Sequence, residues 1–379
     1  GGREKGFVMR LCGLSRAEML QQMQQRAGIS QGFRVDQVWR AVYHQGVQRF
    51  SEVGGLPKPM QTALSKCFSL NLPAVLSDQL SADGCRKFLV SMEDDTALPP
   101  RQGKQRTSSA VECVYIPEEE RGTLCVSSQI GCSLSCSFCH TGTQPLSRNL
   151  TAAEIVQQVM VARSRLGDLP LRNHRALTNV VFMGEGEPLY NLRNVVKAVR
   201  ILSDPQGLEI PLRKITVSTS GVAPGIVKMG QEDIGLALSL HAPNDDLRSH
   251  IMSINKTFPL DTLMQACVNY QKQCGRRITM EYVMLRGVND SLSLARDLAH
   301  LLHSYQLDVL VNLIPFNPWP GVEYECSTVA QMEDFQREVM RLGLLATIRW
   351  SRGEDILAAC GTLKSALTAA QQQQQQQQL

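Results

Sequence analysis

From residue 110 onward, short apolar runs alternate with stretches in which apolar residues recur every three or four positions. The runs 179–183, 214–219, 234–240, 278–284 and 308–314 read as strands, and candidate helices cover 151–166, 190–203, 222–230, 259–274, 291–305 and 328–342. Thr151 with Glu154 forms a capping box at the start of the first helix. Segments 111–116 and 123–130 are β-like, joined by an acidic turn at 117–122, and another strand falls at 346–350. Counting 124–130 as the first strand gives six β-α units. Such alternation implies a parallel sheet in an α/β fold, here an open or partial (β/α)6 barrel with active residues at the carboxyl ends of its strands.

The segment before residue 92 has a different rhythm. Ser15 with Glu18 is a capping box opening one short helix. Phe33, Val35, Val38, Trp39, Val42 and Tyr43 form the apolar stripe of a second, with Trp39 and Tyr43 one turn apart and read as core packing. Further helical patterns run through 57–68 and 75–88, so residues 1–91 read as a small α-helical accessory domain. Residues 92–110 are polar, Pro-containing and aperiodic, a loop or linker. The core then spans 111–345 with a β-hairpin extension, and 346–368 form a C-terminal segment. Residues 369–379 are a tail dominated by an uninterrupted Gln run at 371–378, low in complexity and expected to be disordered.

Hydrophobic content of 43% and charged content of 20% describe a globular chain, and no run approaches the roughly 18 apolar residues of a membrane span. Aromatic content of 5% argues against a base-stacking platform as the main mode of nucleic-acid binding. The net charge of +4 is uneven: residues 1–110 hold 15 Lys and Arg against 9 Asp and Glu, a balance of +6, leaving −2 for the rest. A basic first segment suits a polyanionic partner, although a solvated basic face gives the same count. Twelve cysteines without a secretory leader point to a reducing compartment and to metal or redox chemistry. The chain opens on Gly1 rather than Met, so a targeting peptide is an open matter. The expected location is cytoplasmic, or organellar in a eukaryote.

The chemistry gathers at Cys132-Ser-Leu-Ser-Cys136-Ser-Phe-Cys139, three thiols at C-x3-C-x2-C spacing. A structural zinc site closes with four protein ligands and an ordinary ferredoxin cluster with four cysteines. Three thiolates on a cubane cluster leave one iron open. His140 as a fourth zinc ligand would need an awkward chain reversal. The strand-end segments Gly184-Glu-Gly-Glu-Pro188, Ser218-Thr-Ser-Gly221, Ser239-Leu-His241 and Asn317-Pro-Trp-Pro-Gly321 collect polar chemistry on one rim. By composition alone, Cys125 and Cys360 read as buried structural thiols and Glu112 as a solvated strand carboxylate.

The pattern C-x3-C-x-aromatic-C, with Gly184-Glu-Gly-Glu187 after the second strand, resembles the radical S-adenosylmethionine (SAM) superfamily. The segments 123–132, 138–144, 218–221, 239–241, 312–317, 352–356 and 358–361 together resemble the RlmN family of RNA methyltransferases, in one collinear order over roughly residues 10–368. The resemblance implies the radical SAM partial barrel, a four-iron four-sulfur cluster on Cys132, Cys136 and Cys139, and SAM bound by Gly186, Glu187, Ser218, Ser239, Leu240, His241 and Asn317. It implies methylation of C2 of adenine in 23S rRNA and tRNA by a monomer served by a flavodoxin-type electron donor. Residues 1–91 would then be an RNA-binding accessory domain.

The family's chemistry answers a real difficulty: C2 of adenine is electron-poor and cannot attack SAM directly. By resemblance, Cys360 accepts a methyl group from a first SAM, and a 5′-deoxyadenosyl radical from a second removes hydrogen from it. The carbon radical adds to C2, Glu112 accepts the C2 proton, and Cys125 releases the product as a Cys125–Cys360 disulfide that a reductant resets. Two alternatives stand beside this: C8 methylation of the same rRNA adenosine, as in Cfr-type enzymes, and a non-catalytic zinc protein that binds RNA.

Overall fold

The computed structural model describes residues 8–92 and 109–363. The expectations for the loop 93–108 and for the Gln-rich tail lie outside the described residues. One ten-stranded sheet organises the molecule, in the order β14-β13-β12-β11-β10-β9-β6-β5-β4-β3. Seven of its strands run parallel: β6 (Gly122–Cys125), β9 (Asn179–Phe182), β10 (Ile215–Thr219), β11 (Gly235–Ser239), β12 (Ile278–Met284), β13 (Val309–Pro315) and β14 (Leu345–Ile348). Consecutive parallel strands cannot be joined by a tight turn, so each connection is long, and every one of them includes a helix. These are α4 (Ala152–Leu166), α5 (Leu192–Leu202), α6 (Ala223–Gln231), α7 (Asp245–Ile251), α8 (Leu260–Cys274), α9 (Leu292–Ser304) and α10 (Val329–Arg341), the last preceding β14. Leu236, Met280, Val311 and Leu313 are buried, as strands covered on both faces require. Strands β14 and β3 stand at opposite ends of the order, so the barrel is open.

The helix boundaries have local causes. Thr151 accepts from the Glu154 N–H while the Glu154 carboxylate accepts from the Thr151 N–H, and Gly167, at φ 72°, ends α4 in the left-handed conformation. The same box starts α1 (Arg16–Ala27) at Ser15 and Glu18. Trp39 and Tyr43 of α2 (Gly32–Tyr43) are core residues in edge-to-face contact at 4.6 Å, and the Tyr43 hydroxyl accepts from the Gly13 N–H at 2.9 Å. Phe33, counted in the apolar stripe, lies outside it: the ring is 61% exposed, under the Arg34 guanidinium. Helix α3 (Lys58–Cys67) follows as expected.

The helix expected over 75–88 is not there. That segment is a β-hairpin, β3 (Val75–Leu80) and β4 (Arg86–Ser91), continued antiparallel by β5 (Ala110–Pro117) onto β6. The cause is the turn Ser81-Ala-Asp-Gly84. Asp83 Oδ1 accepts from the Cys85 N–H at 3.0 Å, Ser81 Oγ accepts from the Asp83 N–H at 3.3 Å, and Gly84 takes φ 87°. Side chains that bond the backbone two residues away favour a turn over a helix.

Two short ladders complete the frame: β1 (Met9–Arg10) with β2 (Phe68–Ser69), and β7 (Gln129–Ile130) with β8 (Arg148–Asn149). Helices α1 and α2 share one core with the barrel, Met19 and Val38 belonging to the same cluster as Ile155 and Val159. Among the described residues no helix is long and apolar enough to cross a membrane.

Candidate active site

The carboxyl ends of the parallel strands open onto a cleft of about 1000 Å³. Cys132, Cys136 and Cys139 line it from the loop after β6, Gly186 and Glu187 from the loop after β9, and Ser218 from β10. Ser239 and His241 enter from β11, Asn317 from the end of β13, and Cys360 from the segment after β14. Leu240 does not line the cleft. It is fully buried, with its N–H given to the Glu281 carbonyl and its own carbonyl accepting from Arg248 Nε.

Backbone bonds hold the cysteine loop. Cys132 N–H donates to the Gln144 carbonyl at 3.2 Å, Cys139 N–H to Cys136 O at 3.1 Å, and Ser137 N–H to Ile251 O at 3.0 Å. Burial pushes the Cys132 thiol up to about 11 and raises those of Cys136 and Cys139. Ionising three such neighbours requires a cationic centre among them. The donor set is sulfur alone. His140 is taken up elsewhere: its N–H donates to Gly361 O at 2.8 Å, its Nδ1 lies 3.2 Å from Thr362 O, and its ring stacks on Trp319 at 4.7 Å. Among the described residues no group of three or more His, Cys, Asp or Glu is arranged around a single metal ion. Three thiols spread around one cleft fit a cluster several atoms across, not a closed zinc site.

Glu187 is buried, which raises its carboxyl, yet it is well supplied with donors. Its Oε1 accepts from the Leu189 N–H (3.0 Å) and Thr219 Oγ1 (2.8 Å), and its Oε2 from the Ser220 N–H (2.7 Å). Gly186 is required beside it: φ is 95°, and a Cβ would fall 2.4 Å from Gln129, whose Oε1 accepts the Glu187 N–H at 2.9 Å. His241 sits at φ 59°, a conformation that costs a non-glycine residue on the order of 1 kcal/mol. It is held there by Asn289 Nδ2 on its carbonyl (2.9 Å) and by the Val283 N–H on its Nδ1 (3.0 Å). Burial pushes the imidazole down to about 3, so it is neutral, with the proton on Nε2.

Two residues of this rim carry no motif. Arg248, on α7, is fully buried, and its guanidinium donates to the carbonyls of Ser220 (2.7 Å), Ser239 (3.0 Å) and Leu240 (3.0 Å) and to Asn255 Oδ1 (2.8 Å). It ties two strand ends together, and burial without a carboxylate partner pushes it down to about 10. The signal available was Asn244 followed by Asp245 and Asp246, an N-cap and acidic first turn for a short helix. Glu281 lines the cleft from mid-strand, accepting from Asn312 Nδ2 at 2.6 Å, and burial raises its carboxyl. A lone carboxylate in the apolar run 278–284 was its trace in the sequence.

A second cavity, of about 660 Å³, adjoins the first. Cys360, Asn317, Met183 and Ile314 line both, and Cys125 lines only the second. Cys125 packs with Val114, Ala358 and Leu363, and both cysteines are free thiols. Burial, with Cys360 nearby, pushes the Cys125 thiol up to about 12. Arg349, on the same wall, is raised chiefly by its attraction to Cys360. Residues 352–363 are fastened from three sides. Arg352 Nε donates to Asp83 Oδ2 (2.9 Å), Thr141 Oγ1 to Leu363 O (2.7 Å), and Asn317 Nδ2 to Cys360 O (3.4 Å).

Glu112 lines neither cavity. It is buried on β5, 3.1 Å from Lys87 Nζ, and its N–H donates to Glu185 Oε1 at 3.1 Å. On the same strand Val114 pairs with Cys125, so Glu112 and Val114 share a face two residues apart.

The chain matches the model of the Radical SAM superfamily over residues 126–298. It is 49% identical over 364 residues to a dual-specificity RNA methyltransferase RlmN of Rhodopseudomonas palustris, covering 94% of this chain and 89% of that one. A protein of the same description from Beijerinckia indica is 49% identical over 345 residues, covering 88% and 86%. Among solved structures, a radical SAM methyltransferase from Sphaerobacter thermophilus superposes with a TM-score of 0.84 at 38% identity, over 94% of this chain and 99% of the other.

Proposed function

This chain belongs to the RlmN family of radical SAM dual-specificity RNA methyltransferases, and from that premise we propose that it methylates C2 of adenine in both 23S rRNA and tRNA, using two molecules of SAM. The observation that carries the reading is the position of Cys360, on the wall common to the cysteine-lined cleft and to the cavity that holds Cys125. When bound, the cluster and SAM supply one-electron reduction, a hydrogen-abstracting carbon radical and the transferred carbon. A flavodoxin-type protein is the proposed electron source.

Cys132, Cys136 and Cys139 would hold the cluster. Glu187, its carboxylate oriented by the Leu189 and Ser220 N–H groups and by Thr219 Oγ1, would accept from the SAM ammonium, and Gly186 lets backbone approach the ligand. His241 offers an Nε2–H donor, Ser218, Ser239 and Asn317 offer donors and acceptors for hydroxyl and carboxylate groups, and Leu240 fixes the turn that presents His241.

Cys360 would carry the one-carbon unit as a thioether. Once a hydrogen atom has been taken from that methyl group by the SAM-derived radical, its carbon would add to C2, the surplus electron would pass to the oxidised cluster, and enzyme and RNA would be covalently joined through Cys360. Glu112 takes the C2 proton. Cys125, as thiolate, attacks the Cys360 sulfur: the S–S bond forms and the S–C bond breaks. The electron pair and a proton go to the departing carbon, which becomes the methyl group. A dithiol reductant then resets the pair.

The test is anaerobic incubation of the reconstituted enzyme with SAM carrying a labelled methyl group and with rRNA or tRNA, followed by mass spectrometry of the nucleosides. Label in 2-methyladenosine from both RNAs is expected. Label in 8-methyladenosine, or in one RNA class only, overturns the C2 or the dual-substrate part of the reading respectively.

A further inference from the structure

Lys87 is a cation where the sequence offers no reason for one. It lies on β4, in a run whose neighbours Phe88, Leu89 and Val90 are buried, and it is itself only 9% exposed. A buried ammonium is costly unless its hydrogens are used. Two of them are: Nζ lies 3.1 Å from Glu112 Oε1 and donates to the Leu357 carbonyl at 3.2 Å. Strand β4 pairs antiparallel with β5, with Leu89 opposite Glu112, so Lys87 reaches Glu112 diagonally across the ladder.

The other end of the contact matters as much. Leu357 sits at φ 51°, a backbone conformation that a branched side chain adopts only when its surroundings impose it. It begins the turn Leu357-Ala-Ala-Cys360. The Leu357 N–H donates to Glu354 O at 3.0 Å and the Ala358 N–H to Gly353 O at 2.9 Å, which leaves the Leu357 carbonyl directed at the ammonium. One side chain thus bridges the carboxylate on β5 and the loop that presents Cys360.

We propose that Lys87 is a positioning residue for the methyl transfer, holding the Glu112 carboxylate and the Cys360 loop in register so that base and carbon-bearing sulfur meet the same adenine. This rests on the reading of Glu112 as the acceptor of the C2 proton. Lys87 itself lines neither cavity. Its contribution is to hold the Glu112 carboxylate from the same point that grips the Leu357 carbonyl, and misplacement by about 1 Å is enough to cost on the order of 100-fold in rate.

The experiment compares the full chain with Lys87→Met, Lys87→Arg, Glu112→Gln and the double variant Lys87→Met/Glu112→Gln, each cluster-loaded and assayed with a tRNA substrate. Thermal melting, the KM for RNA, kcat and the extent of Cys360 methylation (peptide mass) are measured. Glu112→Gln is expected to lower kcat by about 100-fold or more. Lys87→Met should lower kcat by about tenfold or more with KM unchanged and Cys360 methylation reduced by less than kcat, and the loss in the double variant should fall well short of the product of the two single losses. Lys87→Arg should recover most of the rate. If Lys87→Met melts below the assay temperature, Lys87→Gln, which keeps a donor for Leu357 but no charge for Glu112, takes its place.

Wild-type kcat in Lys87→Met, or losses that multiply in the double variant, overturn the positioning role while leaving that of Glu112 standing. Wild-type kcat in Glu112→Gln overturns both.

Discussion

The two sides of the sheet are built on different plans. On the parallel side, the cleft is assembled from short contiguous segments, each at a strand end: Cys132–Cys139, Gly184–Pro188, Ser218–Gly221 and Ser239–His241. The residues assigned to the RNA chemistry come singly from distant places: Lys87 and Glu112 from the antiparallel strands, Cys125 from β6 where the two halves meet, and Cys360 from the docked C-terminal segment. A cofactor presents many atoms to one region and is held by local turns. A reaction that passes carbon, proton and disulfide in turn needs isolated side chains at set separations. The fold solves the two problems in adjoining halves of one sheet, with Cys360 on their common wall.

Paired substitutions break this comparison most sharply. Cys132→Ala should remove cluster-bound iron and abolish RNA methylation, while Cys360→Ala should abolish methylation with iron content unchanged. Iron analysis and visible absorbance of anaerobically reconstituted protein separate the two. Iron lost equally from both variants would mean that the halves are one unit. Cys125→Ala acts one step later: the RNA adduct on Cys360 should accumulate as a slower band on a denaturing gel. Free, unmethylated RNA with no adduct would remove Cys125 from the release step.

The effects on stability are smaller. Arg248→Met takes the guanidinium donors from the carbonyls of Ser220, Ser239 and Leu240, the last of which keeps the Ala242 N–H, at a cost of about 3 kcal/mol in urea unfolding. An unchanged midpoint would show that the parallel rim stands without its arginine. Glu185 lies at the seam, its Oε1 accepting from the Glu112 N–H, and burial pushes it up to about 8. Below pH ~4.5 the carboxyl is neutral in both folded and unfolded chains. As pH rises, the unfolded chain ionises first, so the folded state loses stability until pH passes about 8. Glu185→Gln should therefore match the wild type near pH 4.5 and exceed it by about 2–4 kcal/mol near pH 8.5. A difference independent of pH would mean that Glu185 is ionised at neutrality.

The parallel half was legible because its signals are local. Capping boxes at Ser15 and Thr151 and the apolar runs from 179 to 314 reappear within a residue or two. The cysteine spacing and the glycine–acidic turn point to one cleft because each follows a strand. The helical reading of 75–88 fails because the apolar residues there suit a helical period as well as a strand's, and only the bonding within Ser81-Ala-Asp-Gly84 decides between them. Arg248 and Lys87 were invisible for another reason. Their partners are three backbone carbonyls and the Asn255 amide oxygen in one case, and in the other a carboxylate 25 positions away with a carbonyl 270 away. Such partners exist only after folding. Leu240 matched a motif, yet its side chain turns into the core.

The fastening of residues 352–363 has a consequence in the order of events. Its partners Asp83, Thr141 and Asn317 are separated from it along the chain by 269, 222 and 43 positions. Closing loops of the two larger sizes gives up chain entropy that no local contact returns. The strand–helix pairs of the barrel face no such delay. In time, then, the platform is in place before Cys360 arrives, and the segment that carries this cysteine is seated after the strand–helix pairs it docks on.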